Sequence, residues 1–103
     1  MERIEEAVRE IINDIKKDRS FDSNQIFAKL EDDNDYKPLY DELLKEKKGN
    51  ESIAHANIAK HILTKLEKEG IIERLKRTNK PIIHYSMNIK DKGSENALWF
   101  KVR

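Results

Sequence analysis

Three cations stand close together in the second half of the chain, around a short polar turn. The residues of this cluster are Lys76, Arg77, Thr78, Asn79 and Lys80. Long cationic side chains on a turn can follow a line of phosphate groups whatever the base sequence is. The cluster therefore predicts contact with a nucleic-acid backbone, although hairpin tips also carry charge for solubility alone.

A second group of polar side chains recurs at three- and four-residue steps in the segment before this turn. If the apolar residues of that segment face a core, a rotation of about 100° per residue turns the polar group outward. The inward residues would be Ile58, Ala59, Ile62, Leu63 and Leu66, and the outward residues Asn57, Lys60, His61, Thr64 and Lys68. The amide and the imidazole can hydrogen-bond base edges, the hydroxyl can meet a base or a phosphate, and the lysines offset phosphate charge.

Charge is distributed unevenly along the chain, although the net charge of the whole is only +1. Residues 1–51 hold 10 Lys and Arg against 15 Asp and Glu, a net charge of −5, and residues 52–103 hold 11 against 5, a net charge of +6. Such a split favours one surface that attracts polyanions and another that repels them. Self-association, with the acidic half against the basic half, is the alternative.

The first two helices are predicted from apolar spacing and from a capping signal. Ile4, Val8, Ile11, Ile12 and Ile15 form one stripe of a helix that should end near residues 17–18. A second helix should start with Asp22 as its cap, Gln25 completing a capping box, and Phe21 packing on Ile26. It should end at about Leu30, before an acidic run that is most simply a solvated loop.

Two further helices are expected before the turn cluster. Leu39, Tyr40, Leu43 and Leu44 follow Pro38 at helical spacing, and Gly49 is a natural terminator. The fourth helix should cover residues 52–69, with Ser52 as its cap and Gly70 at its end. On this helix His55 turns toward the core, so packing is its expected role.

After Gly70 the apolar period changes to that of strands. Residues 71–77 and 82–89 alternate around the polar residues 78–81, which predicts a β-hairpin. Residues 97–102 are predicted to form a last strand with Leu98, Phe100 and Val102 on one side. The neighbouring Trp99 and Phe100 are core or interface residues more often than a platform for stacked bases. All of these elements fit one domain, residues 1–103.

The chain lacks the residues that several classes of function need. The chain has no cysteine, which excludes disulfides, thiol catalysis and cysteine-zinc sites. His55, His61 and His84 have no partner at a ligand spacing, and neither a glycine-rich phosphate loop nor a nucleophile motif is present. The first residues are charged and apolar runs are short. We therefore expect a soluble, cytoplasmic protein without metal, cofactor, enzymatic activity or membrane contact.

Helices followed by a longer helix and a hairpin are the order of an α+β winged helix-turn-helix. Residues 58–74, with Leu66-Glu67 before Gly70-Ile71-Ile72, resemble the passage from recognition helix to wing in MarR-like, ArsR-like and PadR-like regulators. The resemblance covers roughly residues 21–89. The chain differs from these regulators in an extra helix at residues 36–47, before the recognition helix, and in a C-terminal strand where many relatives have a dimerisation helix.

The resemblance implies a transcription regulator that binds double-stranded DNA. The recognition helix, residues 52–69, would lie in the major groove and the wing, residues 76–81, on the phosphate backbone. A homodimer through the first helix and the strand at residues 98–102 is expected, because one small domain buries little surface on DNA; a monomer is the alternative. The rival function is a winged-helix interaction module of a replication, repair or defence complex, whose basic half docks an acidic protein.

Overall fold

The structure, a computed structural model, describes residues 2–75 and 98–103. In this part of the chain four helices and three short strands follow one another in the order α1-β1-α2-α3-α4-β2-β3. The fold class is α+β, as predicted. The helices are α1 (Glu2–Asn13), α2 (Ser23–Asp32), α3 (Lys37–Glu46) and α4 (residues 51–68), and the strands are β1 (Ser20–Asp22), β2 (Ile72–Leu75) and β3 (Leu98–Lys101).

Helix α1 supplies one wall of the hydrophobic core. The predicted stripe is buried along its whole length, with no more than 4% of any residue exposed: Ile4, Val8, Ile11, Ile12 and Ile15. The helix ends at Asn13, earlier than the predicted residues 17–18. At this end the Ile12 carbonyl accepts two hydrogen bonds, one from the Ile15 amide at 3.0 Å and one from the ammonium group of Lys101 in β3. A cation at the last carbonyls of a helix also interacts favourably with the helix dipole.

The start of α2 confirms the predicted capping box. Asp22 Oδ1 accepts a hydrogen bond from the Asn24 amide at 2.7 Å, and Gln25 Oε1 accepts one from the Asp22 amide at 2.8 Å. Phe21 and Ile26, the predicted apolar pair around this cap, are both fully buried. The helix continues to Asp32, slightly beyond the expected end at Leu30.

Helices α3 and α4 are joined by a tight turn at residues 47–50. Gly49 has a φ of 78°, a conformation that glycine adopts without strain, and its amide donates to the Leu44 carbonyl at 2.7 Å. The predicted cap of α4 was wrong: Asn50, not Ser52, accepts the hydrogen bond from the Ile53 amide, at 3.1 Å. Asparagine and serine are equally good caps, so the residue type does not determine which of them caps the helix. Asn50 is the cap because its side chain reaches the amide of the third helical residue.

The middle of α4 is a π-helix. The helix begins with an α-helical segment (Glu51–Asn57), continues through the π segment (Ile58–Leu63) and ends with a second α-helical segment (Thr64–Lys68). The Thr64 amide and the Thr64 hydroxyl both donate to the Ala59 carbonyl, five residues earlier, the hydroxyl at 3.1 Å. The helix therefore has the predicted length, but one of its turns is a wider π turn, which the apolar spacing does not indicate.

The three strands form an antiparallel sheet in the order β1-β3-β2, so that β3 lies between the other two. The described part of the predicted strand at residues 71–77 forms β2 from Ile72 to Leu75; residues 76–77 and the expected hairpin partner, residues 82–89, lie outside the described residues. In the described sheet β2 pairs with β3, with Ile72 opposite Lys101 and Leu75 opposite Leu98. The last described residue before the gap and the first one after it are therefore paired with each other.

The structure buries the side of β3 that was not expected to face the core. The prediction grouped Leu98, Phe100 and Val102, whereas Trp99 and Lys101 are each only 4% exposed and Phe100 is half-buried. Trp99 packs within the core and donates its indole N–H to Ser23 Oγ at 2.8 Å. The indole thus has both an apolar site and a hydrogen-bond partner on that side.

Candidate nucleic-acid interface

The inner face of α4 is fixed in the core. Four of the five residues predicted to point inward are fully buried, and Ala59 is half-buried; the four are Ile58, Ile62, Leu63 and Leu66. Nineteen buried residues from the helices and the sheet form one continuous cluster around them. The burial of this face determines which side chains α4 presents to solvent.

Ion pairs between α1 and α4 hold the helix from a second side. Arg9 forms a two-pronged contact with Glu69, at 2.6 and 3.0 Å, and also bonds Glu5 at 3.0 Å. Lys65 reaches the same Glu5 carboxylate at 3.1 Å. The hydrogen bonds from Lys65 and Arg9 lower the pKa of Glu5, and the bond from Arg9 lowers the pKa of Glu69. These pairs leave α4 little freedom to rotate.

Three of the predicted outward residues of α4 are solvent-exposed: Lys60, His61 and Lys68. Among the described residues, none of the three has a hydrogen-bond or ion-pair partner. Lys65, on the same helix, differs because Glu5 neutralises it. The outer face therefore offers cationic groups that are not engaged by the described part of the chain.

The other two predicted helix residues are already bonded within α4. Asn57 donates its side-chain amide to the Ile53 carbonyl at 2.8 Å, and the Thr64 hydroxyl donates to Ala59. Both are half-buried. A two-bond contact from asparagine to adenine needs the amide N–H as well as the oxygen. The amide of Asn57 has two N–H groups and uses one of them here, so an N–H and the oxygen remain for a base, but the internal bond restricts their orientation. The Thr64 hydroxyl is bonded to the Ala59 carbonyl within the helix.

The π segment places Lys60 and His61 beside each other on the exposed face. A π-helix has more residues per turn than an α-helix, so neighbouring side chains are separated by a smaller angle. Short π insertions in helices frequently coincide with functional sites. The π turn thus brings Lys60 and His61, two candidate contact residues, close together at the middle of the outer face.

The sequence predictions missed Ile53, which is 47% exposed at the start of α4. It precedes Asn57 by four residues and therefore continues the outward stripe. The four-residue spacing between Ile53 and Asn57 could have identified Ile53 as an outward residue from the sequence alone. An exposed apolar side chain on a groove-facing helix can contact the methyl group of thymine.

The five predicted wing residues lie outside the described residues: Lys76, Arg77, Thr78, Asn79 and Lys80. The described sheet fixes only where their segment starts and ends, since Leu75 and Leu98 are paired. The segment is therefore attached to the strand that directly follows α4.

His55 lies on the inner side of α4, where its helical position predicted it to be. Its ring stacks on Phe27, with ring centres 4.1 Å apart, and its Nε2 lies 2.7 Å from the Tyr40 hydroxyl. Burial raises the pKa of Tyr40. Within residues 2–75 and 98–103 no three His, Asp or Glu side chains are grouped so that they could hold a metal ion.

The predicted dimer interface has no support in the described residues. The apolar stripe of α1 is buried against the chain's own core, and β3 has a strand on each side. The apolar stripe of α1 is therefore not available to a second copy. None of the described helices combines the length and the apolar character that crossing a membrane needs.

No protein-family model, no curated protein and no solved structure matches this chain. The resemblance to winged-helix regulators therefore rests only on the residues of the segment 58–74 and on an observed fold that is compatible with it.

Proposed function

We propose that this chain is a winged-helix transcription regulator that binds double-stranded DNA. The outer face of α4 lies in the major groove, and residues 76–81 contact the phosphate backbone. The observation that carries the proposal is the exposed set of Lys60, His61 and Lys68, which have no partner among the described residues, on a helix whose opposite face is fixed in the core. A rigid helix with cations on one side meets the geometric requirement for groove binding.

The order of elements supports this proposal. The strand β1 lies between α1 and α2, the last helix leads directly into β2, and the sheet has the order β1-β3-β2. The turn between α3 and α4 comprises residues 47–50 and contains Gly49, as is typical of a helix-turn-helix. In this interpretation α3, which the sequence comparison treated as an extra helix, is instead the supporting helix of the unit, and α4 is the recognition helix.

The size of the outer face fits one groove. From Asn57 to Lys68 the helix rises by about 16 Å, and an α-helix with its side chains is about 10 to 12 Å across, which matches a major groove about 12 Å wide. Lys60 and Lys68 are placed to meet phosphates, whereas Asn57 and Thr64 are bonded within the helix. The arrangement therefore favours affinity from phosphate contacts over strong discrimination between bases.

Duplex binding across a salt series tests the proposal. The slope of log affinity against log salt concentration falls by about 0.9 for each phosphate contact that is lost. We expect Lys60→Gln and Lys68→Gln each to reduce the slope by about this amount and to weaken binding at low salt. Arg77→Gln should do the same if the wing contacts the backbone.

Lys65→Gln is the matched control, because it makes the same change of charge on the same helix. Glu5 already neutralises Lys65, so we expect the slope to be unchanged. Absence of duplex binding at low salt would refute the proposal. Equal losses in the Lys60 and Lys65 variants would also refute it, because net charge rather than the outer face would then determine affinity.

A further inference from the structure

An open pocket of about 470 Å³ lies between α1, the end of α4 and the end of β3. Ile12, Leu66 and Ile71 give it apolar walls. Pockets for small organic molecules have volumes of about 300 to 1,000 Å³ and combine such walls with a few polar groups. Leu66 belongs to the inner face of α4, so this pocket is separate from the proposed DNA interface.

The polar lining of the pocket is mainly cationic. Arg9, Lys101 and Arg103 contribute to it, and Glu10 is the lining carboxylate. Arg9 is already paired with Glu69, whereas Lys101 and Arg103 form no ion pair with a described residue. Within residues 2–75 and 98–103, these two positive groups at the pocket therefore have no counter-charge in direct contact.

Lys101 is the most unusual of these groups, because it is charged and only 4% exposed. Its ammonium donates to the Ile12 carbonyl, which satisfies the end of α1. An ammonium carries three N–H groups, so this bond leaves donor capacity on the pocket side. Burial lowers the pKa of Lys101, and the charge of Asp14 acts in the opposite direction. A buried charge of this kind is stabilised by an anion that reaches it.

We propose that this pocket binds a small organic acid. Its carboxylate lies between Lys101 and Arg103, and its apolar body rests on Ile12, Leu66 and Ile71. The two cations, which no described carboxylate pairs, select a negative group, and the apolar walls select a hydrocarbon body over a bare inorganic ion. The site does not depend on DNA binding, because the inner side of α4 builds it.

Titration of the full chain with hexanoate, followed by amide chemical shifts in NMR, tests this site. We expect saturable shifts at Ile12, Ile71 and Lys101, with a dissociation constant in the millimolar range that a ligand of this size allows. Hexanamide has nearly the same shape without the charge. It should bind at least about tenfold more weakly, because a charge-assisted hydrogen bond is lost.

Two arginine variants decide the outcome without disturbing the cap that Lys101 provides. Arg103 and Arg74 are both exposed, but only Arg103 lines the pocket. Arg103→Gln should weaken hexanoate binding about fivefold or more, and Arg74→Gln should leave it unchanged. The site is disproved if hexanoate gives no saturable shifts at the pocket, if hexanamide binds as well, or if the Arg74 variant loses as much affinity.

Discussion

Replacing Trp99 tests which side of β3 faces the core. Trp99 is 4% exposed and donates its indole N–H to Ser23 Oγ at 2.8 Å. Trp99→Phe removes that hydrogen bond, which contributes about 1 kcal/mol, together with part of a buried ring. The expected loss in the free energy of unfolding is about 2 to 3 kcal/mol. Domains of this size have a total stability of about 5 to 15 kcal/mol, so the variant remains folded.

A double-mutant cycle isolates the hydrogen bond from the change in packing. Ser23→Ala should cost about 1 kcal/mol alone, and the double variant should lose about 1 kcal/mol less than the sum of the two. Urea unfolding must be followed by far-UV circular dichroism, since Trp99 is the single tryptophan of the chain. Phe100→Leu is the control, with an expected loss below about 1 kcal/mol because Phe100 is half-buried. If the two substitutions were strictly additive, the hydrogen bond between Trp99 and Ser23 would be refuted. If Phe100→Leu lowered the free energy of unfolding more than Trp99→Phe, the claim that Trp99 is on the core-facing side of β3 would be refuted.

Two further predictions concern the support of α4. Tyr40→Phe removes the hydroxyl that lies 2.7 Å from His55 Nε2, and it should lower stability in urea by about 1 to 2 kcal/mol without changing duplex affinity. Arg9→Met should make the thermal midpoint less sensitive to acid. In the parent chain the pKa values of Glu5 and Glu69 are below the usual 4.5, so their stabilising charge is present above that value and is lost as the pH falls. Equal acid sensitivity of the two chains between about pH 6 and pH 3 would contradict the role of Arg9.

Local signals in the sequence were sufficient where the interaction itself is local. The capping box of Asp22 and Gln25 joins residues within one helical turn, so the sequence alone predicted it. The buried face of α4 followed in the same way from the spacing of residues such as Ile58 and Ile62. The outward direction of Lys60 needed no more than that spacing.

Contacts between distant residues accompany two features that the sequence did not predict. At the end of α1, Lys101 reaches the Ile12 carbonyl from far along the chain. On the buried side of β3, the indole of Trp99 has Ser23 as its partner. The π segment is different, because its bond from the Thr64 hydroxyl to the Ala59 carbonyl is local, but an apolar pattern does not indicate a hydroxyl bond.

The structure also changes what the net charge of +6 in residues 52–103 means for nucleic acid. Lys65 is paired with Glu5 and Lys101 is buried, so neither is placed to meet a phosphate. On α4 Lys60 and Lys68 are the exposed lysines without a partner among the described residues, which corresponds to a salt slope of about 2 from this helix if it binds DNA as proposed. A steeper slope for the whole chain would then come from cations outside α4, among them those of residues 76–92. If those residues supply most of it, the affinity for DNA would depend more on the proposed wing than on the proposed recognition helix.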